Sequence, residues 1–317
     1  MKSIYLRTFI IFSLLLSISC KDKKSDTDVI AEEEAMAEET ANVVDIITRG
    51  MDFQSVDTIP SGWNIFKYQN LSDQPHFFLL DKYPEGVTIQ NTIDEVGPPF
   101  DRCGELIEAG KRDEGLAELA NLPEWFGKVV FVGGSGLVSP KETSLTAVKL
   151  EPGYYIMECY VKMPEGKFHT SMGMAKAIIV TDEDSGVTPP EATVNINISS
   201  EKGINYDKGI TKGKQVFAVH YDDQIMHENF VGHDVNLAKI ESYANLDELE
   251  KWMDWSHKGG LQTPAPNGVT FLGGVNDMPK GSTGYFTVDL EPGNYVLISE
   301  VPNTRSKKLL KEFDVID

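Results

Sequence analysis

The chain is short of three things, and each shortage removes a class of function. Basic residues come first: 29 lysines and arginines stand against 49 aspartates and glutamates in 317 residues, a net charge of −20. Nothing clustered remains to neutralise phosphates, which excludes nucleic acid as a partner and docking on anionic lipid through a basic patch. Acidity of this size reads as solubility outside the cytoplasm. Cysteine is next, with only Cys20, Cys103 and Cys159. Motifs of common catalysis are the third, since no Gly-rich phosphate loop, zinc spacing or Gly-x-Ser-x-Gly elbow occurs. Aspartate and glutamate are abundant but scattered over loops, and pick out no catalytic pair.

What is present begins at the N-terminus. MKSIYLRTFIIFSLLLSISC places Lys2 and Arg7 before an apolar run from Phe9 to Leu16, then small residues before Cys20. Residues 1–20 therefore read as a secretory signal, too short for a comfortable membrane span. Ser-Ile-Ser directly before Cys20 resembles a bacterial lipobox, although Ser17 stands where a leucine is usual and Leu16 sits one step back. The resemblance implies acylation of Cys20, a membrane partnership through that lipid, and an exported chain on the outer membrane, at the cell surface or in the periplasm. Residues 21–45 carry many acids and neither glycine nor aromatics before position 50, a composition that stays solvated as a tether. With Cys20 acylated, Cys103 and Cys159 are left. In an oxidising compartment they either pair or remain thiols.

The rest of the chain repeats itself. Phe131 to Tyr155 aligns without gaps with Phe271 to Tyr295, and ten of the 25 paired positions are identical. Upstream, Gly62-Trp-Asn-Ile-Phe66 matches Gly213-Lys-Gln-Val-Phe217, and counting on from there His76 falls opposite His227. Duplication of this kind predicts two domains of one fold, placed at 46–184 and 194–317 with the Pro-paired linker 185–193 between them.

Within each copy the pattern is that of strands. TSLTAVKL and GYYIMECYV flank Glu151-Pro-Gly153, and TGYFTVDL and NYVLISEV flank Glu291-Pro-Gly293, so each copy carries strand, tight turn, strand near its end. Each also predicts one short helix. In the second copy Asn245 caps, Glu248 takes the capping-box position, and Leu246, Leu249, Trp252 and Met253 share a face. In the first, Asp113 caps ahead of Leu116, Leu119 and Ala120. The expected class is all-β: two antiparallel sandwiches, each with a short helical insertion.

Two segments of the first copy carry candidate chemistry. One is Gln74-Pro-His76-Phe-Phe-Leu-Leu-Asp81; the other runs from Cys159 through Lys-Met-Pro-Glu-Gly-Lys-Phe-His169 to Gly173-Met174, ahead of the strand AKAIIVTD. They resemble the cupredoxins, the plastocyanin-like blue-copper domains, at the places where that family keeps its ligands. The resemblance implies one copper ion of type 1 character held by His76, Cys159, His169 and Met174, with the two imidazoles and the thiolate in a trigonal array and a weak axial thioether. His169 and Met174 keep the spacing typical of plastocyanins. Cys159 departs from it, with nine residues before His169 where the family has two to four. The turn signal Pro164-Glu-Gly166 predicts a hairpin that sets Val161 opposite His169 and leaves Cys159 as the diagonal neighbour on the same face.

The expectation is thus an exported, lipid-anchored protein of electron transfer or copper handling, with an unidentified protein or redox partner. An enzyme is not expected, because the six histidines (76, 169, 220, 227, 233, 257) form no His-x-His pair of the kind multicopper oxidases carry. Two other readings stand beside it. One is a metal-free binding or scaffolding lipoprotein that keeps only the fold, which a Cys103–Cys159 disulfide would favour; the second copy, with Ser299 opposite Cys159, already reads as a degenerate domain of this kind. The other is a Cu(I) carrier built on Met157, Met163, Met172 and Met174.

Overall fold

The computed structural model describes residues 43–316. Cys20, the signal and most of the expected tether lie outside the described residues. Strand β1 (Val43–Thr48) starts inside the stretch expected to be tether.

The remaining strands follow in the order the repeat demands: β2 (Thr58–Asn70), β3 (Leu79–Lys82), β4 (Val130–Gly134), β5 (Thr143–Leu150), β6 (Gly153–Glu158) and β7 (Ala175–Asp184), then β8 (Val194–Ser199), β9 (Gly203–Tyr206), β10 (Gly213–Tyr221), β11 (Val235–Ile240), β12 (Val269–Val275), β13 (Thr283–Leu290), β14 (Gly293–Ile298) and β15 (Leu310–Val315). The pairings of the first half recur in the second. β2 pairs antiparallel with β5 and parallel with β1, as β10 does with β13 and β8. The second layer runs β4-β3-β6-β7 in one half and β12-β11-β14-β15 in the other. Each half is an all-β, cupredoxin-like sandwich, in which alternate residues such as Phe66 and Tyr68 of β2 or Phe217 and Val219 of β10 face inward and are buried.

The halves are stitched together edge to edge. β5 and β13 pair through Tyr285↔Ala147, Phe286↔Thr146 and Thr287↔Leu145, and since β7 also pairs with β2 the hydrogen-bonded path runs through one 11-stranded sheet, with β12-β11-β14-β15 as a separate sheet. The contacts across this seam are reciprocal: Gly133 N donates to Asp277 O at 2.7 Å, and its counterpart Gly273 N donates to Leu137 O at 2.8 Å. The repeated Gly-Gly pair is required here. A Cβ on Gly134 would lie 1.9 Å from Phe78 O, and one on Gly274 1.9 Å from Val235 O, where the β3–β4 and β11–β12 registers slip.

The helical excursions only partly match expectation. In the second half α3 (Leu246–Met253) forms as the pattern implied, with Asn245 Oδ1 accepting from the Asp247 and Glu248 amides and Leu249, Trp252 and Met253 buried. In the first half the insertion is larger than one short helix. It holds α1 (Gly97–Glu108) and α2 (Arg112–Glu118). Pro98 and Pro99 obscured α1 in the sequence, yet they sit in its first turn, where a missing N–H is no loss. Asp113 lies inside the first turn of α2 and does not cap it; Lys111 holds that position without a side-chain capping bond.

Candidate metal centre

The expected hairpin exists, and it is what assembles the centre. Beyond β6 the chain turns through Gly166 (φ +96°), with Gly166 N donating to Met163 O and Met163 N to Lys167 O. His169 N then donates to Val161 O at 2.9 Å, as the diagonal pairing required. The hairpin is seated on α1, because Gly104 there allows Gly166 to approach backbone to backbone. From the other side His76, three residues ahead of β3, is fixed by its backbone N–H, which donates a hydrogen bond to Val138 O.

Three side chains consequently converge in the core. Cys159 Sγ lies 3.7 Å from His76 Nδ1 and 3.7 Å from His169 Nδ1, and the two Nδ1 atoms are 3.1 Å apart. All three residues are fully buried. Met174, also buried, is tied to both ends of the loop by its backbone: Cys159 N donates to Met174 O, and Met174 N to His169 O. Thr170 Oγ1 donates to Cys159 O at 2.9 Å.

Burial governs the charge states. It pushes the Cys159 thiol up to about 12, against the backbone amides of Phe77 and Val161 that favour the thiolate. It pushes His76 down to about 4, and His169 to about 3 with help from the charge of His76. At neutral pH the centre is therefore a thiol and two neutral imidazoles. Their Nε2 atoms have no hydrogen-bond partner, while the two Nδ1 atoms and Sγ face one another. Orphaned buried polar atoms cost about 1–3 kcal/mol each. A cation at the point shared by Sγ and both Nδ1 atoms would satisfy the inward set.

The spacing suits such an ion. With metal–nitrogen about 2.05 Å and metal–sulfur about 2.3 Å, a separation of 3.7 Å corresponds to a sulfur–metal–nitrogen angle of about 116°, and 3.1 Å to a nitrogen–metal–nitrogen angle of about 98°. That is close to the trigonal array of two imidazole nitrogens and one sulfur that copper adopts with a thiolate. Among the described residues no other group of three or more His, Cys, Asp or Glu side chains clusters so closely.

Of the two alternatives left open for the cysteines, the structure has Cys103 and Cys159 both free and buried. Two further readings change. The four methionines do not form one group: Met157 and Met174 are in the core, while Met172 is on the surface. His76 corresponds not to His227 but to His233. Leu79 pairs with Glu158 as Asn236 pairs with Ile298, so the residue three positions earlier is His76 in one half and His233 in the other. The counting failed because the loop after β10 is longer than the loop after β2. By the same backbone bonds Ser299, Thr304 and Leu309 replace Cys159, His169 and Met174.

Sequence reasoning also missed a set of buried carboxyls: Asp81, Glu158, Asp234, Asp277 and Glu300. Burial raises all five, Asp234 to about 6 and Glu158 to about 7. Tyr160 Oη donates to Glu300 across the seam at 3.1 Å. The repeat contained a signal for them, because Asp277 aligns with the apolar Leu137.

No protein-family model matches the chain, and no curated protein matches it. Solved structures do. Auracyanin from the photosynthetic bacterium Roseiflexus castenholzii is 19% identical with a TM-score of 0.27, over 44% of this chain and 97% of its own. Auracyanin A from Chloroflexus aurantiacus, described as a "blue" copper protein, is 18% identical with a TM-score of 0.27, over 44% and 98%. A copper-containing nitrite reductase from Thermus scotoductus is 9% identical with a TM-score of 0.22, over 86% of this chain and 61% of its own. A multicopper oxidase also matches, at 12% identity and a TM-score of 0.21, over 86% and 88%. Likeness at this level concerns the fold alone. It corrects the expectation that the chain is not an enzyme: proteins matched over most of this chain include enzymes, so a missing His-x-His pair does not settle the point, and that expectation is withdrawn. The fold is cupredoxin-like, and the cluster of His76, Cys159 and His169 within it could hold a copper ion.

Proposed function

We propose that this chain is an exported, lipid-anchored protein that binds one copper ion in its first half and uses it for electron transfer or copper handling. The observation that carries the reading is the convergence of Cys159 Sγ and the two Nδ1 atoms of His76 and His169 in a closed core. In this reading Met174 supplies a fourth, axial ligand. The ion would supply a one-electron couple, and the chain's part is to hold the donors in place so that little rearranges between oxidation states. The hairpin, the Val138 and Val161 bonds and the amides aimed at the sulfur do that work. Copies 46–184 and 194–317, joined by 185–193, serve as domains, and Cys20 carries the lipid.

Copper loading of the full chain tests the proposal. An intense thiolate-to-copper absorption is expected, and it should vanish in Cys159→Ser. A colourless protein that refuses copper would end the reading and leave the scaffold. One observation favours that second reading for the other half: Ser299, Thr304 and Leu309 occupy the places of three of the four donors, so that half keeps the fold without this centre.

A further inference from the structure

The second half has lost the thiolate centre but has built another histidine pair at the same corner of the fold. His233, the counterpart of His76, is fully buried. Its partner is His227, supplied by the longer loop between β10 and β11. The Nε2 atoms of the two rings are 2.9 Å apart. The rings themselves, with centroids 4.8 Å apart and planes at 52°, repeat the arrangement of His76 and His169, also 4.8 Å and 52°.

The protonation pattern can be read from the partners. His233 Nδ1 faces two oxygens of Asp223, the backbone carbonyl at 3.3 Å and the carboxylate Oδ1 at 3.3 Å. Facing two acceptors, Nδ1 carries the ring proton, and Nε2 keeps its lone pair toward His227. A carboxylate on one ring nitrogen with the lone pair left on the other is the arrangement that orients imidazole ligands for metals and raises their basicity. Asp223 is itself held by Ser200, whose Oγ and amide both donate to it. The loop that delivers His227 is clamped as well: Gln224 Nε2 donates to His233 O and to Met278 O, His233 N donates to Gln224 Oε1 at 2.6 Å, and His227 N donates to Val231 O. Unlike the first centre, this one is reachable. His227 is half-buried and lines an open depression with Leu116, Leu119, Met226 and Phe230.

We infer that His227 and His233 form a second metal site, in which their Nε2 atoms bind one borderline transition-metal dication, Cu(II) foremost, with Asp223 as the positioning residue and solvent at the remaining corners. At metal–nitrogen distances of about 2.05 Å a 2.9 Å separation subtends about 90°. Neighbouring corners of the tetragonal field preferred by Cu(II) meet at that angle, and nitrogen and oxygen donors suit the ion. A site of two neutral imidazoles and water has no thiolate, so it contributes no thiolate-to-copper absorption. It does not depend on the first centre.

The test counts metal in the full chain. The metal-stripped protein is titrated with Cu(II) against a weak chelator and passed through gel filtration, with copper content and thiolate absorption read together. Two equivalents are expected in the wild type, only one of them coloured. His227→Ala should lose the colourless equivalent and keep the absorption. Cys159→Ser should do the reverse, which separates failure of this site from failure of the first. Asp223→Asn should weaken the colourless site about ten- to a hundredfold and leave the coloured one unchanged. Wild-type protein that binds no copper beyond the coloured equivalent would overturn the inference, meaning that the ring pair is a plain hydrogen bond. A colourless equivalent that survives His227→Ala would overturn it too.

Discussion

Replacing Gly104 by alanine sets two effects of opposite sign against each other. On an exposed helix the change would stabilise by about 1 kcal/mol, because glycine is a poor helix former. On α1 the added Cβ would lie 2.0 Å from Gly166 O, 3.0 Å from Gly166 C and 3.3 Å from Phe168 Cε2. Reaching an ordinary separation of about 3.5 Å requires the hairpin to withdraw by about 1.5 Å. Backbone cannot swing aside as a side-chain tip can, and a Cβ on Gly166 would likewise lie 2.4 Å from Gly104 C. Overpacking of this kind costs about 1–3 kcal/mol, so a net destabilisation of about 0–2 kcal/mol is expected once the propensity gain is subtracted. The larger effect falls on the metal centre. His169 lies three residues beyond Gly166 on the displaced arm, and ligand distances tolerate only about 0.2 Å. Copper affinity should fall at least tenfold, with a weaker thiolate absorption. Urea unfolding of the metal-free protein, followed by circular dichroism, gives the first number, and competitive copper titration the second. A Gly104→Ala protein about 1 kcal/mol more stable than the wild type, with unchanged absorption, would refute the claim that this glycine contact positions His169.

Other expectations follow from the same packing. Asn236, fully buried at the seam, accepts from Leu137 N at 2.7 Å and donates to Asp234; Asn236→Ala orphans both and should cost about 2–5 kcal/mol, visible as a lower urea midpoint. Metal uptake at pH 5 should release close to one proton per ion, from Cys159 alone, because burial already holds His76 and His169 neutral there. Titration of the Cys159 centre with Zn(II) as a redox-silent probe, in unbuffered His227→Ala protein, measures this, and release of three protons would mean that the imidazoles are solvated. The contribution of Glu158 to the stability of the metal-free protein should fall between about pH 4.5 and 7. Burial raises its carboxyl to about 7, whereas an unfolded glutamate loses its proton at about 4.3, so over this interval the folded state binds the extra proton and the contribution declines as pH rises. A urea midpoint whose pH dependence over this interval is the same in Glu158→Gln as in the wild type would show that carboxyl to be ionised in the fold.

Much of this protein could be read along the chain because the relevant physics is local or periodic. Alternation of apolar residues and Glu-Pro-Gly turns specify strands and hairpins whatever lies beyond them, and Asn245 caps α3 through its own neighbours. The duplicated block from Phe131 to Tyr155 already implied two copies of one sandwich. The centre was legible for the same reason: Pro164-Glu-Gly166 dictates a hairpin, and a hairpin determines that His169 returns to Cys159. What tertiary structure alone decided depends on approach between distant segments. The equivalence of His76 with His233 follows from strand register, not from counting, because loops absorb insertions without altering the sheet. The withdrawal of Asp81, Glu158, Asp234, Asp277 and Glu300 from water, and the meeting of His227 with His233, exist only once the two halves and their loops are packed. No sequence interval encodes that distance.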